Sequence, residues 1–189
     1  MRTRDPETKR RLILEAALSE FAEHGLAGAR LERLAKRAGV SAGHIYSFHP
    51  GKGELFEAVF DMIVEQAVSE APIDATDLPR YAGTLYDLGL AYPEVGRFMM
   101  WYHLERGDAP QRASVTAAMA DKVAAIQRAQ DEGLVDARYS AAQLLALILT
   151  ISAMWQESSE ATLSLVPVEL RRATVVEAVR DLVDPGQEP

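Results

Sequence analysis

Apolar residues recur every three or four positions along nearly the whole chain, and no stretch alternates apolar and polar residues as a half-buried strand does. Asp5-Pro6-Glu7 marks a helix start: an acid at the cap, proline at the first position and a second acid in the first turn. Ile13, Ala17 and Phe21 form the stripe of that helix, which is predicted to run to about His24 and end at Gly25. Leu31, Leu34, Ala35 and Ala38 predict a second helix over about Leu31–Ala38, and a third follows over about Ala42–Phe48. Pro50-Gly51 breaks the chain. A longer helix from about Lys52 to Ser69 then carries Phe56, Phe60, Ile63 and Ala67 along one side. Breaks at Pro72, Pro79, Tyr92-Pro93, Gly107–Pro110, Gly133 and Val166-Pro167 delimit helices near Leu78–Ala91, Glu94–Arg106, Pro110–Glu132, Ala141–Leu163 and Pro167–Val183. About nine helices with short connections predict an all-α protein of two parts, divided as residues 1–51 and 52–189.

The segment Leu34 to Tyr46 has a more specific pattern. A short helix, a glycine and a second short helix opened by serine make a helix-turn-helix, whose second helix enters the DNA major groove. Gly39 supplies the positive φ that a sharp turn requires. Val40 is placed to plug the joint, and Ser41 can accept a hydrogen bond from a free N–H of the next helix. Small residues at Ala35, Ala38 and Ala42 allow the two helices to cross closely.

Two other motifs overlap this region. Gly39-Val40-Ser41-Ala42-Gly43 fits G-x-S-x-G, the nucleophile elbow of a serine hydrolase, with Ser41 as nucleophile. That motif needs a strand before the serine, whereas the preceding residues have helical periodicity. Gly51-Lys52-Gly53 lacks the Ser or Thr and the earlier glycine of a phosphate-binding loop, since Gly53 and Tyr46 occupy those places.

Charge strengthens the DNA reading. The net charge is −8, yet residues 1–53 hold ten Lys/Arg against six Asp/Glu. The remainder holds ten against twenty-two. A basic end on an acidic body is the asymmetry expected when one end faces phosphates. Arg2, Arg4, Lys9, Arg10 and Arg11 can track a backbone or simply be solvated. With no cysteine there is no disulfide, thiol nucleophile or Cys-bound metal, and the four histidines lack the spacing of a helical zinc site; neither a metal nor a cofactor is expected. No apolar run is long enough to span a membrane, and the charged start lacks a signal-peptide core, so the expected location is cytoplasmic.

The run Ile13-Leu14-Glu15-Ala16-Ala17, Phe21, Gly25, Leu34-Ala35, Ala38-Gly39-Val40-Ser41, Gly43 and Ile45-Tyr46, continued by Lys52, Glu54 and Leu55, resembles the TetR family of bacterial transcriptional regulators. The resemblance covers about residues 10–60. It implies a three-helix DNA-binding domain followed by a larger helical domain that binds an effector and dimerises through the last two long helices, Ala141–Leu163 and Pro167–Val183. By position, Tyr46 and Lys52 resemble family residues that contact phosphate, and Ala42, Gly43, His44 and Ser47 occupy exposed recognition-helix positions. The chain departs from the family pattern in three respects: Ala29 replaces a common Thr, with Arg30 beside it able to compensate; His44 replaces Thr or Ser; and Phe48-His49 reverses the usual order.

The DNA-binding set is therefore Arg30, Ala42, Gly43, His44, Tyr46, Ser47, His49 and Lys52. Gly43 can let backbone approach phosphate or serve helix packing, and Tyr46 can donate to a phosphate or pack as a half-buried aromatic. Aromatic and Met side chains suit an adaptable cavity, and Tyr81, Tyr86, Phe98, Trp101, Tyr102, His103 and Met119 are the ligand candidates, with ordinary core as their other role. The leading reading is a non-enzymatic, ligand-responsive regulator. It is a repressor that binds a pseudo-palindromic DNA operator as a homodimer and is released by an unidentified small molecule. An interaction module that has lost DNA binding, or a Ser41 hydrolase, are the alternatives.

Overall fold

The computed structural model describes residues 5–106 and 112–186, and every regular element within them is helical. In chain order these are α1 (Pro6–Gly28), α2 (Leu31–Ala38), α3 (Ala42–Phe48), α4 (Lys52–Glu70), α5 (Leu78–Ala91), α6 (Pro93–Arg106), α7 (Ala113–Asp131), α8 (Ala141–Glu157), α9 (Glu160–Leu163) and α10 (Val168–Val183). The helix expected from Pro110 begins outside the described residues, as do Arg2 and Arg4. One difference from the sequence reading has a local cause. The helix expected over Ala141–Leu163 is interrupted, because Ser158 Oγ donates back to Met154 O and Ser159 caps a fresh turn at Thr162 N. The first helix breaks at Gly25 as expected: its φ 64° and ψ −179° are non-helical, and a separate single turn follows to Gly28.

Contacts divide the chain into two compact units. One comprises Met1–Gln66 and Tyr92–Pro110, and the other Ala67–Ala91 and Gln111–Pro189. In the first, α6 packs along α1 and α2 packs across it. Its core is aromatic. Phe21 meets Phe56 edge-on at 5.0 Å, Phe56 lies 4.8 Å from Phe98, and Tyr102 stacks on Phe60 at 4.0 Å. The ring contacts join α1, α4 and α6, and Ile13, Leu34, Ile45 and Leu55 are also buried in this unit. The backbone turn at Gly25 exists to admit Trp101: a Cβ there would stand 2.8 Å from the indole.

The placement of α2 rests on a buried acid. Glu20, on the inner side of α1, is 1% exposed. Its Oε1 accepts from the Arg30 backbone N–H at 2.8 Å, and from Arg33 Nε at 2.9 Å and Nη2 at 2.6 Å. Arg33 also donates to Gly28 O, and Lys52 Nζ donates to Ala27 O and Ala29 O, both at 3.2 Å. The carbonyls left free at the end of α1 are thus held by two cations, as a helix C-terminus favours. Burial works against the Glu20 charge, but the Arg33 hydrogen bonds, the Arg30 N–H and the Arg33 charge outweigh it and hold the carboxyl below its ordinary value.

In the second unit α8 packs against α5, α7 and α10, and α10 packs along α5. Leu78, Tyr81, Ala82 and Tyr86 of α5 meet Leu144, Leu145 and Ile148 of α8, Ile126 and Ala129 of α7, and Val175 and Val179 of α10. Arg172 Nε reaches both oxygens of Asp87 at 2.9 Å, fastening α10 to α5. Ser140 and Gln143 form a reciprocal cap at the start of α8.

Two stability outcomes follow. Gly25→Ala places a Cβ in a backbone region that only glycine enters freely and drives it into Trp101; urea unfolding should show a loss of at least about 1–3 kcal/mol. Arg33→Ala leaves Glu20 buried without two of its three donors, a loss of about 1–3 kcal/mol or more. Because the Glu20 carboxyl lies lower in the folded chain than its ordinary 4.5, its stabilisation is complete above that value and disappears as pH falls through the folded pKa. Acid titration of the urea midpoint should show this component in the natural protein and lose it in Glu20→Gln.

Candidate nucleic-acid interface

The turn between α2 and α3 is built by local chemistry. Gly39 closes α2 at φ 67° and ψ 34°; its N–H donates to Lys36 O and the Val40 N–H to Ala35 O, the paired bonds of a Schellman stop. Ser41 is extended and its Oγ accepts from His44 N at 3.3 Å, starting α3. No strand precedes Ser41, so it does not sit on the strand-to-helix bend of a nucleophile elbow.

α3 is anchored on one side and open on the other. Ile45 is fully buried, while Gly43, His44, Tyr46 and Ser47 are exposed and Ala42 is half-buried. The Tyr46 ring is 53% exposed, which sets aside the buried-packing role and leaves its hydroxyl free to donate. A Cβ at Gly43 would meet nothing within 4 Å, so packing inside the chain does not demand glycine there. Ser47 Oγ donates to His44 O at 2.6 Å, which leaves its lone pairs to accept from an outside donor. The His44 ring lies 6.1 Å from that of Phe48. Arg30 is exposed beside this helix pair.

Two members of the expected set are not free in this structure. His49 is 6% exposed and its Nε2 is buried without a partner. Its place at the end of α3 turns it inward, so as folded it presents no donor to a phosphate. Burial lowers its pKa, and the Arg10 charge lowers it further. Lys52 is half-buried and occupied by the Ala27 and Ala29 carbonyls. Glu20 and Arg33, which position α2, were not singled out from sequence. The signal was present: Glu20 falls on the Ile13–Ala17 stripe, where a charge needs a partner.

The ligand candidates fall in both units. Phe98 and Tyr102 belong to the aromatic core of the first, Trp101 lies against Gly25, and His103 is exposed. Tyr102 Oη donates to Glu57 Oε2 at 3.0 Å, and Arg106 Nε pairs with Glu57 Oε1 at 3.0 Å. Burial and the Glu57 carboxylate raise the Tyr102 pKa, which keeps the hydroxyl a donor. Tyr81 and Tyr86 are buried in the second unit, whereas Met119 is half-exposed on α7. A separate pocket of about 330 Å³ in that unit is lined by Ile73, Asp74, Thr76, Arg128, Glu132 and Leu134, and includes none of them. Among the described residues no group of His, Asp and Glu has the arrangement of a metal site. No described helix is long and apolar enough to cross a membrane.

Comparison with known proteins agrees with this geometry. Residues 13–59 match the family described as bacterial regulatory proteins, tetR family, and residues 77–181 match the tetracyclin repressor-like C-terminal domain. The chain is 36% identical over 154 residues to the HTH-type transcriptional repressor SCO4008 of Streptomyces coelicolor, covering 80% of each. It is 33% identical over 104 residues to the HTH-type transcriptional regulator RutR of Escherichia coli, covering 51% of this chain and 48% of that one. The structure of the transcriptional regulator SCO4942 from Streptomyces coelicolor superposes with a TM-score of 0.84 at 33% identity, covering 94% of this chain and 99% of the other. The chain belongs to the TetR family, and it is a DNA-binding transcriptional regulator, not an enzyme.

Proposed function

We propose that this regulator is a repressor that binds a pseudo-palindromic operator as a homodimer in the cytoplasm and leaves it when a small molecule binds the larger helical domain. Residues 1–51 form the DNA-reading part and residues 52–189 the effector and dimerisation part. The observation that carries the reading is α3: Ile45 fixes one side in the core while Tyr46, Ser47, His44 and Gly43 face outward together. Tyr46 donates to a phosphate, and Lys52 does so when it leaves the end of α1. His44 and Ser47 read base edges, and Gly43 lets the backbone approach.

Self-association is assigned to α8 and α10. Among the exposed apolar side chains are Leu147 of α8, Leu165 between the helices, and Val168 and Leu170 of α10. An apolar surface of this kind is what a two-fold interface covers. α4 is continuous from the first compact unit into the second, with Gln66 and Ala67 as adjacent residues of one helix. A shift of that helix is the simplest way for an effector to alter the spacing of two recognition helices. Its reach is set by the effector's preference for one state, typically about 1–3 kcal/mol.

Fluorescence anisotropy with selected operator fragments tests the DNA reading. Affinity should fall with salt at a log–log slope of about −0.9 per neutralised phosphate, and a salt-independent affinity refutes the phosphate contacts. Tyr46→Phe and Lys52→Ala should weaken binding to every sequence, whereas His44→Ala and Ser47→Ala should change which sequence is preferred. Light scattering should give a dimer, reduced to monomer by Leu147→Glu or Leu170→Glu; a natural chain that is monomeric removes the interface assignment.

A further inference from the structure

The second unit holds a buried lysine that no carboxylate among the described residues balances. Lys122 lies on the face of α7 that also carries Ile126 and Ala129, and it is 8% exposed. Its Nζ donates to Tyr81 Oη of α5 at 2.8 Å and stands 5.5 Å from the centre of that ring. Tyr81 is itself 3% exposed. No carboxylate pairs with Lys122 among the described residues, and the phenol oxygen is its one hydrogen-bond partner.

An ammonium offers three N–H donors, and here one is used. A cation taken out of water needs a counter-ion and a filled hydrogen-bond shell, or it is a standing penalty on the fold. The helices it joins, α7 and α5, both pack on α8, and the lysine side chain reaches from one to the other. The same core holds Leu85, Leu88, Val123 and Ile126, all apolar. One positive charge in such a wall balances one negative charge.

We propose that Lys122 and Tyr81 form the polar anchor for an effector that is a monocarboxylate with an apolar aromatic or aliphatic body. The carboxylate takes the place of the missing counter-ion, accepting from Lys122 Nζ and from Tyr81 Oη, while the apolar body lies against the side chains named above. A phosphate dianion is disfavoured there, because a second negative charge would be buried unpaired. This inference rests on the reading of the protein as ligand-responsive and deepens it by stating the charge of the effector and the residues that recognise it.

The test uses the full chain without operator. Thermal shift and titration calorimetry are run with benzoate, phenylacetate, cinnamate, octanoate and decanoate, and in parallel with the corresponding neutral amides. At least one acid should raise Tm and bind the natural protein while its amide does not. Lys122→Met should weaken that acid about tenfold or more, the range of a hydrogen bond to a charged group. Tyr81→Phe, which removes a single oxygen, should weaken it less and serves as the readout if Lys122→Met does not fold. The inference is overturned if no acid binds the natural protein, if amides bind as well as acids, or if neither substitution changes the affinity. Operator binding by the ligand-free chain is measured separately. Retained operator binding with no response to carboxylates removes the anchor alone, whereas absent operator binding removes the regulator reading.

Discussion

The orientation of the DNA-reading helices depends on one buried carboxylate. Glu20 draws the first N–H of the α2 corner and the Arg33 guanidinium onto α1. α2 in turn fixes α3 through the Gly39 turn, so the direction in which Tyr46 points is inherited from a charge that never meets solvent. The geometry is economical in its donors. Arg33 uses the same side chain to hold Gly28 O, and Lys52 at the head of α4 takes the neighbouring carbonyls of Ala27 and Ala29. A corner made of one acid and two bases is stiffer than an apolar contact, because hydrogen bonds to charged groups lose strength steeply when misaligned. The exposed side of α3, with Gly43, His44, Tyr46 and Ser47, is thereby set on a firmly held base.

The parts of this fold that were legible in the sequence are those whose cause lies within a few residues. Gly39 and Ser41 dictate their turn by backbone conformation and capping, and α2 and α3 occur at the bounds that their periodicity predicts. The bounds of α5 were equally plain, between Pro79 and Tyr92-Pro93. What escaped the sequence has causes far along the chain. Gly25 reads as a stop and the helix does break there, but the Trp101 indole that fills the space beside it comes from far along the chain. His49 reads as a surface donor by its position in the motif, yet the end of α3 turns it inward. The aromatic positions from Tyr81 to Met119 read as one set because apolar character carries no address. In three dimensions Phe98 and Tyr102 join the core of Phe21 and Phe56, while Tyr81 and Tyr86 join that of Leu144 and Ile148. The break at Ser158-Ser159 was readable and was missed: hydroxyls that bond back to the preceding turn are a known interruption.

The two units hold buried charges of opposite sign, and the contrast between them separates structure from response. Around Glu20 three donors from α2 and its leading residue converge on one oxygen, so burial is compensated by the chain itself and the charged form is favoured. Around Lys122 the described residues supply a single neutral oxygen. A residue kept only for stability has no reason to be a lysine there, because an apolar side chain of similar length fills the same volume without a desolvation penalty. The first arrangement favours the charged carboxylate through Oε1 alone, while the buried Oε2 has no partner; the second, under the anchor proposed above, gains most when something negative arrives. The Glu20 cluster holds α2 against α1, and Lys122 lies in the unit that carries Tyr81 and α8.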